Sequence, residues 1–267
     1  MKRLTVVLGL VLSGLVALAA IVSAFWTPFD PGRTGPDLYA QPGWPHLLGT
    51  DKLGMDTLSR LLVGAQTTLI VGILAVALAA LLGVPLGLVA GLGPRRLGQV
   101  IGRGSDILYA LPALLLAILL AAARGASIWT ATIAIGIATV PVFQRMARAA
   151  TLTIMSQDYI LAAAVSGTPR WRIAWRHVLP NIAPLLGVQA AASFAMAILA
   201  EAGLSYLGLS GTGTTPTWGR MLRDANLFIA PGQAIIPGAA IALAVMGFSL
   251  LGDGVRDYLD PRLREVR

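Results

Sequence analysis

The sequence predicts an all-α, polytopic membrane protein with six transmembrane helices, and three observations lead to that fold class. The 267-residue chain is 56% hydrophobic, with a mean hydropathy of +0.77. Charged residues make up only 12% of it, which is about half the share found in soluble domains. Apolar blocks long enough to cross a bilayer recur along the chain, with lysines and arginines clustered between them. We therefore treat residues 1–267 as a single transmembrane domain.

Six apolar blocks define the expected spans. Their approximate limits are 4–26, 69–92, 105–123, 127–143, 185–203 and 233–251. The first block follows Lys2 and Arg3, as in a signal peptide, but it is longer than the usual apolar region of such a peptide. It also ends at Trp26, a residue type that anchors helices at the membrane interface. We therefore expect an uncleaved first span.

Two local features refine these spans. The loop between the first two, 27–68, is rich in proline, and its last part already has the apolar spacing of a helix. Asp56 stands directly before that pattern, and its side chain is suited to cap the helix. Pro112 lies within the third span and predicts a kink there.

The distribution of basic residues predicts the orientation. With six spans, both termini lie on one side, together with the loop 93–104 and the segment 144–184. The basic residues on the opposite side are the minority: Arg33, Lys52, Arg60, Arg124, Arg220 and Arg223. The positive-inside rule therefore places the termini in the cytoplasm of a cell-membrane protein. The net charge of +8 then follows from topology, and it requires no nucleic-acid partner.

Several chemistries are missing from the sequence. The chain has no cysteine, no GxxxxGK[ST] phosphate loop, and only two histidines, which fall on opposite sides of the membrane. We therefore predict no catalytic residue, no metal site and no ATPase site in this chain. The middle of each span is almost free of ionisable residues, although proton-coupled carriers usually need them there. These features favour a membrane subunit that draws its energy from another subunit.

The segment 144–184 is a long polar excursion between two spans. Its pattern predicts two short helices separated at Gly167, with Ser166 or Thr168 capping the second and Pro169 in its first turn. We expect the second helix to stop before Leu179. Two interpretations remain open from the residues alone. The alanines at 162–164 form a smooth knob that fits a groove of another protein, or the arginines hold an interfacial helix against anionic lipid.

A family resemblance becomes specific at this segment. Residues 161–163, Gly167 and Val178–Pro180 resemble the EAA loop of ABC-transporter permeases. More narrowly, three further stretches are similar to signatures of the dipeptide/oligopeptide/nickel permease family, C-type subunit. They are GTDKLGMDTLSR at 49–60, EAGLSYLGL at 201–209 with PTWG at 216–219, and LGDGVRDYLDPR at 251–262.

The resemblance implies a type I ABC importer permease fold with cytoplasmic coupling helices. It implies a homologous permease as partner in a heterodimer, two ATPase subunits or one fused ATPase, and an extracytoplasmic binding protein. ATP and magnesium would bind those ATPases, and this chain would bind no cofactor. Peptides are the expected cargo, with nickel or a metal chelate as the alternative. A stand-alone secondary carrier is the alternative from another class.

The resemblance also implies roles for individual residues. The expected ATPase-coupling residues are Ala162, Ala163, Ala164, Gly167, Arg170, Arg172, Arg176 and Pro180. The candidates in the outer loops and for gating are Asp51, Asp56, Arg60, Glu201 and Trp218. For the first three of these, bracing of the loop is favoured over contact with substrate. For Glu201, a pair with a nearby arginine is favoured over gating.

This chain departs from the family pattern in its charges. Leu161 replaces the acidic residue of EAA, and Ala164 replaces a residue that is often basic. Met55 stands where the outer-loop signature often has arginine. We therefore expect the first coupling helix to dock through an apolar, shape-matched surface, with the arginines at its margin.

Overall fold

The computed structural model describes residues 2–210, 215–227 and 231–259, and helices account for most of them. In chain order they are α1 (Lys2–Phe25), α2 (Thr57–Leu92), α3 (Arg95–Ala110), α4 (Ala113–Arg124), α5 (Ile128–Met155), α6 (Asp158–Val165), α7 (Arg170–Ile173), α8 (Leu179–Tyr206), α9 (Trp218–Leu227) and α10 (Pro231–Leu259). A π-helical turn, Ala174–Val178, joins α7 to α8. The described residues form no strand beyond one isolated bridge between Thr50 and Asp56, so the predicted all-α fold is confirmed.

Within the described ranges, five helical segments are long and apolar enough to cross a membrane. They are α1, α2, α5, α10 and the continuous helix from Arg170 to Tyr206. A sixth crossing results if α3 and α4, which meet at an angle of 82°, act as one broken span. The break lies at Leu111–Pro112, where the sequence predicts a kink. Proline pushes the preceding residue out of the helical region, and Leu111 has φ −82° and ψ 117°.

Helix α2, 36 residues long, packs along α5 in the most extensive contact between two helices among the described residues. Gly83, Gly87 and Gly91 lie on the contact face of α2. A Cβ atom at Gly87 would be 2.6 Å from the Cβ atom of Ala147, and one at Gly91 would be 2.6 Å from Cγ2 of Thr151. Only glycine permits this approach of the two backbones. In lipid, where helices gain little from hydrophobic burial, such close packing holds them together.

The remaining spans close around this pair. Helix α1 runs antiparallel to α10, because Gly9 faces Leu251 and Gly247 faces Leu12. Helix α10 also packs on α8, where Gly252 meets Ala191. The outward faces of these helices expose large apolar side chains, as expected of surfaces that meet lipid.

Helix α2 begins where Asp56 caps it. Asp56 is 3% exposed, and its Oδ2 atom accepts hydrogen bonds from the Ser59 amide at 2.8 Å and the Ser59 hydroxyl at 2.7 Å. Its Oδ1 atom lies 2.9 Å from Nδ1 of His46. The Ser59 hydroxyl also accepts from the Phe29 amide at 2.9 Å. The cap therefore ties the proline-rich loop, 27–56, to the first turn of α2.

The structure corrects the sequence-based description of segment 144–184 in two places. Helix α5 continues to Met155, so the first part of that segment extends the fourth predicted span rather than forming a loop. The prediction that the second short helix stops before Leu179 is wrong, because helical structure runs without a break from Arg170 to Tyr206.

A widened turn lets the helix pass through Pro180, which has no amide hydrogen to donate. In that π-helical turn the Leu179 amide donates to the carbonyl of Ala174, five residues earlier. Nδ2 of Asn181 donates to the carbonyl of His177 at 2.6 Å. A side chain thus supplies one of the donors that the disturbed backbone ladder needs.

Gly87→Ala should destabilise the fold, whereas Gly14→Ala should not. The new methyl group at 87 meets the α5 backbone and Ala147, and overpacking of this kind typically costs about 1–3 kcal/mol. Gly14 lies in α1 with nothing within 4 Å of the position of its Cβ atom. Both substitutions replace a helical glycine by alanine, so the gain in helix propensity is the same in the two proteins. Thermal unfolding in detergent measures the difference, and equal melting temperatures would contradict the proposed contact.

Asp56→Ala should loosen the loop 27–56 and lower stability, because loss of an N-cap costs roughly 0.5–2 kcal/mol. The matched change Asp56→Asn keeps an acceptor for the Ser59 amide and should retain most of the stability. Limited proteolysis of the loop and the melting temperature report the effect. If the Ala and Asn proteins are cleaved at the same rate, the cap does not hold the loop.

Candidate functional site: the elbow segment and the loop network

The segment Asp158–Pro180, here called the elbow segment, turns the chain sharply between α6 and α7. Gly167 has φ +80°, in the left-handed region that glycine adopts at low cost. The Thr168 amide donates to the carbonyl of Ala163 at 3.1 Å, which closes the end of α6 in the manner of a Schellman motif. The break at Gly167 is thus where the sequence predicts it. The N-cap of α7 is Pro169, and neither Ser166 nor Thr168 provides a side-chain cap.

Helix α6 has one face packed on the bundle and one face exposed. Ile160 is fully buried, in a cluster with Ile173, Val178, Ile182 and Ala147. Leu161 is 53% exposed and Val165 90% exposed.

Of the three alanines predicted to couple, Ala162 is exposed and Ala163 is half-buried. The side chain of Ala164 lies outside the described set. Leu161, Ala162 and Val165 therefore form an apolar strip on the free face of α6, and the exposed Asp158 stands at its start.

The three predicted arginines follow on the next helical turns. Arg170 lines a groove between the elbow segment and α2. The guanidinium carbon of Arg172 lies 5.4 Å from the centre of the Trp171 ring, and Arg176 is exposed. Pro180 falls in the first turn of α8. The elbow segment therefore continues directly into a span.

Two arginines of α5 contact α3, and the sequence did not predict these contacts. Arg145 stacks on Tyr109, with 3.9 Å between the guanidinium carbon and the ring centre. The guanidinium of Arg148 approaches Gly98 and Gly102. The sequence feature that could have indicated these contacts is the pair Gly98 and Gly102, which leaves space on α3 for a long side chain.

At the opposite end of α2, charged side chains join the loop 27–56 to α9. Arg60 is 4% exposed, and its Nη1 atom lies 3.2 Å from Oδ2 of Asp51 and 2.5 Å from the sulfur of Met55. Nζ of Lys52 lies 3.3 Å from Oδ1 of Asp224. Asp51, Asp56 and Arg60 therefore lie in one network, within hydrogen-bond distance of protein groups.

Further links in this network join residues far apart in the sequence. Nε2 of Gln233 donates to the carbonyl of Thr50 at 2.6 Å. Neither Gln233 nor Asp224 was predicted, since nothing local marks a contact across more than 170 residues.

Trp218 and Glu201 are buried next to this network. Trp218 is 3% exposed; its Nε1 atom donates to the carbonyl of Leu61 at 2.9 Å, and its ring lies on Gly64. Glu201 is 1% exposed, and its Oε1 atom accepts from the Ser210 hydroxyl at 3.2 Å. Both side chains are buried in the bundle, and the described contact of Glu201 is to Ser210 and not to the arginine that the sequence favoured.

An open cavity of about 280 Å³ lies between α4, α5 and α8, of which α5 and α8 belong to segments that are long and apolar enough to cross a membrane. Thr139, Gln189, Ser193 and Met196 contribute to its lining. Nε2 of Gln189 donates to the Ser193 hydroxyl at 3.0 Å, and Met196 is 65% exposed. This group was not predicted from the sequence, although polar side chains within an apolar span were a usable signal.

The described residues bring no three His, Cys, Asp or Glu side chains together as a metal site would require. What this arrangement offers is mechanical: a surface on α6, a stiff connection into α8, and a braced loop at the other end.

Comparisons with known proteins agree with this architecture. The chain is 41% identical to the di/tripeptide transport system permease protein DppC of Pseudomonas aeruginosa (strain UCBPP-PA14), over 97% of this chain and 88% of that protein. It is 42% identical to the dipeptide transport system permease protein DppC of Escherichia coli (strain K12), over 97% and 89%. It is 38% identical to the glutathione transport system permease protein GsiD of Pectobacterium atrosepticum, over 95% and 87%.

Among solved structures, an inward-facing form of the MetNI methionine ABC transporter matches 75% of this chain and 97% of the matched chain. The TM-score is 0.64 at 16% identity, so this likeness concerns the fold. Residues 83–265 match the family described as binding-protein-dependent transport system inner membrane component. The chain belongs to that family of permease subunits, with the all-helical fold of a type I ABC importer.

Proposed function

We propose that this chain imports peptides as one of two permease subunits in an ATP-driven importer. The observation that carries the proposal is the exposed apolar face of α6, which ends at Gly167 and leads into the span α8. Large apolar side chains such as Val165, 90% exposed, rarely stand alone on a polar excursion from a membrane bundle. They fit a groove on a partner.

The proposed partner at α6 is an ATPase subunit, in which ATP and magnesium bind. Helix α6 seats in its groove, and closure of the ATPase pair displaces the elbow segment. Because the helix from Arg170 to Tyr206 is unbroken, this displacement reaches the middle of the membrane through α8. The alanines, the three arginines and Pro180 act by position and shape rather than by chemistry.

At the other end of the bundle, the network around Asp51 and Arg60 gives an extracytoplasmic binding protein a firm surface. Between the two ends, the largely apolar cavity that contains Gln189 and Ser193 forms one wall of the pathway. A homologous permease provides the opposite wall. This arrangement requires the termini and the elbow segment to be cytoplasmic, which the excess of basic residues on that side supports.

Peptides are the proposed cargo because relatives at about 40% identity over nearly the whole chain carry peptide or glutathione transport in their names. A metal-chelate importer is less well supported, since none of these names mentions a metal. A stand-alone carrier is disfavoured because the family is defined by dependence on a binding protein.

The proposed function is tested by uptake into liposomes that contain the reconstituted complex of both permeases and the ATPases, with the binding protein added. Dipeptide uptake should require ATP hydrolysis and should stop when the binding protein is omitted. Uptake that persists with a non-hydrolysable nucleotide would contradict an ATP-driven importer. Uptake of nickel but not of peptides would contradict the proposed cargo.

Gly167→Pro should uncouple hydrolysis from transport. Proline requires a φ near −65° and cannot adopt the +80° found here, so the connection between α6 and α7 must change direction. Gly167→Asn is the matched control, because asparagine tolerates the left-handed region. No atom lies within 4 Å of a Cβ atom at this position, so the added β-carbon itself crowds nothing in either protein.

In proteoliposomes we expect the Pro protein to lose most peptide uptake while the complex still hydrolyses ATP. The Asn protein should keep at least a large part of both activities. Normal, ATP-coupled uptake by the Pro protein would remove the coupling role from this turn.

A further inference from the structure

We propose that the groove between α2 and the elbow segment binds an anionic phospholipid, with the headgroup at Arg170 and an acyl chain along α2. This site is additional to the transport pathway and to the docking face of α6. It requires only that the elbow end of the bundle meets the cytoplasmic leaflet, and it does not depend on the cargo.

The groove is large and apolar. Its volume is about 600 Å³, which lies within the range of ligand-binding pockets, roughly 300–1,000 Å³. One wall is α2 from Ala80 to Gly93, and the other is the helix from Arg170 to Leu179. Because α2 rises about 1.5 Å per residue, the groove follows that helix through about half the thickness of a bilayer. This elongated shape suits an acyl chain better than a compact ligand.

The groove is continuous with the surface that α2 presents to lipid. Leu81 and Val89, which line it, are 72% and 47% exposed. Leu82 and Leu86, on the same helix outside the groove, are 46% and 41% exposed. A lipid chain can therefore enter sideways from the bilayer without any change of the fold.

The end of the groove nearest the elbow has the character of a membrane interface. Trp171 and Trp175 line it and are 63% and 67% exposed, and tryptophan concentrates at the headgroup level of membranes. Arg170 lines the same end. These residues place the polar head of a lipid at the level where the groove leaves the membrane.

Arg170 is the one charged residue among those that line the groove. Arg95 and Arg96 begin α3 just after Gly93, which lines the groove. No aspartate or glutamate is among the described residues that line the groove, and the nearest acidic residue of the elbow segment, Asp158, lies at the start of α6 outside the lining. A phosphate with a net negative charge in the groove therefore meets the Arg170 cation and no carboxylate among the lining residues. This complementarity favours an anionic lipid over a zwitterionic one and over an apolar surface of another protein.

The first test counts bound lipid. The full chain, assembled with its partner subunits, is purified from nanodiscs of equimolar phosphatidylglycerol and phosphatidylcholine, and native mass spectrometry identifies the retained phospholipid. We expect the wild type to retain phosphatidylglycerol preferentially. Arg170→Gln should weaken its binding by about fivefold, the effect of one arginine near a membrane surface.

Arg176→Gln is the matched control for charge. It removes one arginine from the same segment, but Arg176 does not line the groove, so retention should equal that of the wild type. Equal loss of phosphatidylglycerol from the Arg170→Gln and Arg176→Gln proteins would overturn the proposal. It would show that the lipid is held by the general positive charge of the segment and not by Arg170 in the groove. Equal retention of the two phospholipids by the wild type would also overturn it.

A second pair of variants tests the acyl-chain part. Val89→Phe fills the groove, whereas Leu86→Phe adds similar bulk to the exposed face of α2 outside it. We expect loss of the retained phosphatidylglycerol only in the Val89→Phe protein. Loss in both, or in neither, contradicts a chain lying in the groove.

The third test asks what covers the groove in the assembled complex. The chain has no cysteine, so Leu81→Cys gives this subunit a single bimane fluorophore, and the complex is assembled with partner subunits whose own cysteines have been replaced. Phosphatidylglycerol with a spin label on its acyl chain should quench this fluorophore more strongly than spin-labelled phosphatidylcholine. If neither spin-labelled lipid quenches the fluorophore, a permease or ATPase partner occupies the groove, and the proposal is overturned. Because none of these readouts involves transport, failure of the proposed function would not affect them.

Discussion

The close approach of α2 and α5 is the constraint on which the rest of the structure depends. Three glycines let the α2 backbone lie directly on α5, at a separation that no side chain would allow. Helix α2 then carries the capped loop at one end and one wall of the lipid groove at the other. Helix α5 continues past the membrane-length part of its sequence to Met155 and supports the buried face of α6. Both functional ends are thus positioned by the packing of α2 on α5.

The elbow segment shows how a chain can turn sharply and still transmit force. A single glycine with positive φ separates α6 from α7, whereas a π-helical turn carries the helix through Pro180 without a stop. The turn at Gly167 fixes the angle between α6 and α7, and the π-helical turn keeps the helix continuous into α8. A docking event at α6 therefore has a direct mechanical connection to the cavity at Gln189 and Ser193, without any catalytic group in between.

Much of the fold and of the candidate site was predictable from the sequence, because the interactions that determine it are local. The apolar blocks, the cap at Asp56, the kink at Pro112 and the turn at Gly167 each depend on a few neighbouring residues. The continuation through Leu179 was not predicted, because proline usually ends a helix and nothing in the sequence reveals a widened turn. The pairs Lys52–Asp224 and Thr50–Gln233 were also missed, since only the packing of distant helices brings them together. Trp218 and Glu201 were identified as candidates from motifs, but their burial follows from how α8 and α9 pack on α2.

The apolar strip on α6 has a thermodynamic consequence. Where the family pattern has an acidic residue, this chain offers Leu161, and Val165 lies one turn further on. Association through such a surface removes apolar area from water, so its characteristic sign is a negative heat-capacity change. Screening by salt acts on charges and leaves this term largely unaffected. Binding between this subunit and its ATPase should therefore respond more to temperature than to ionic strength.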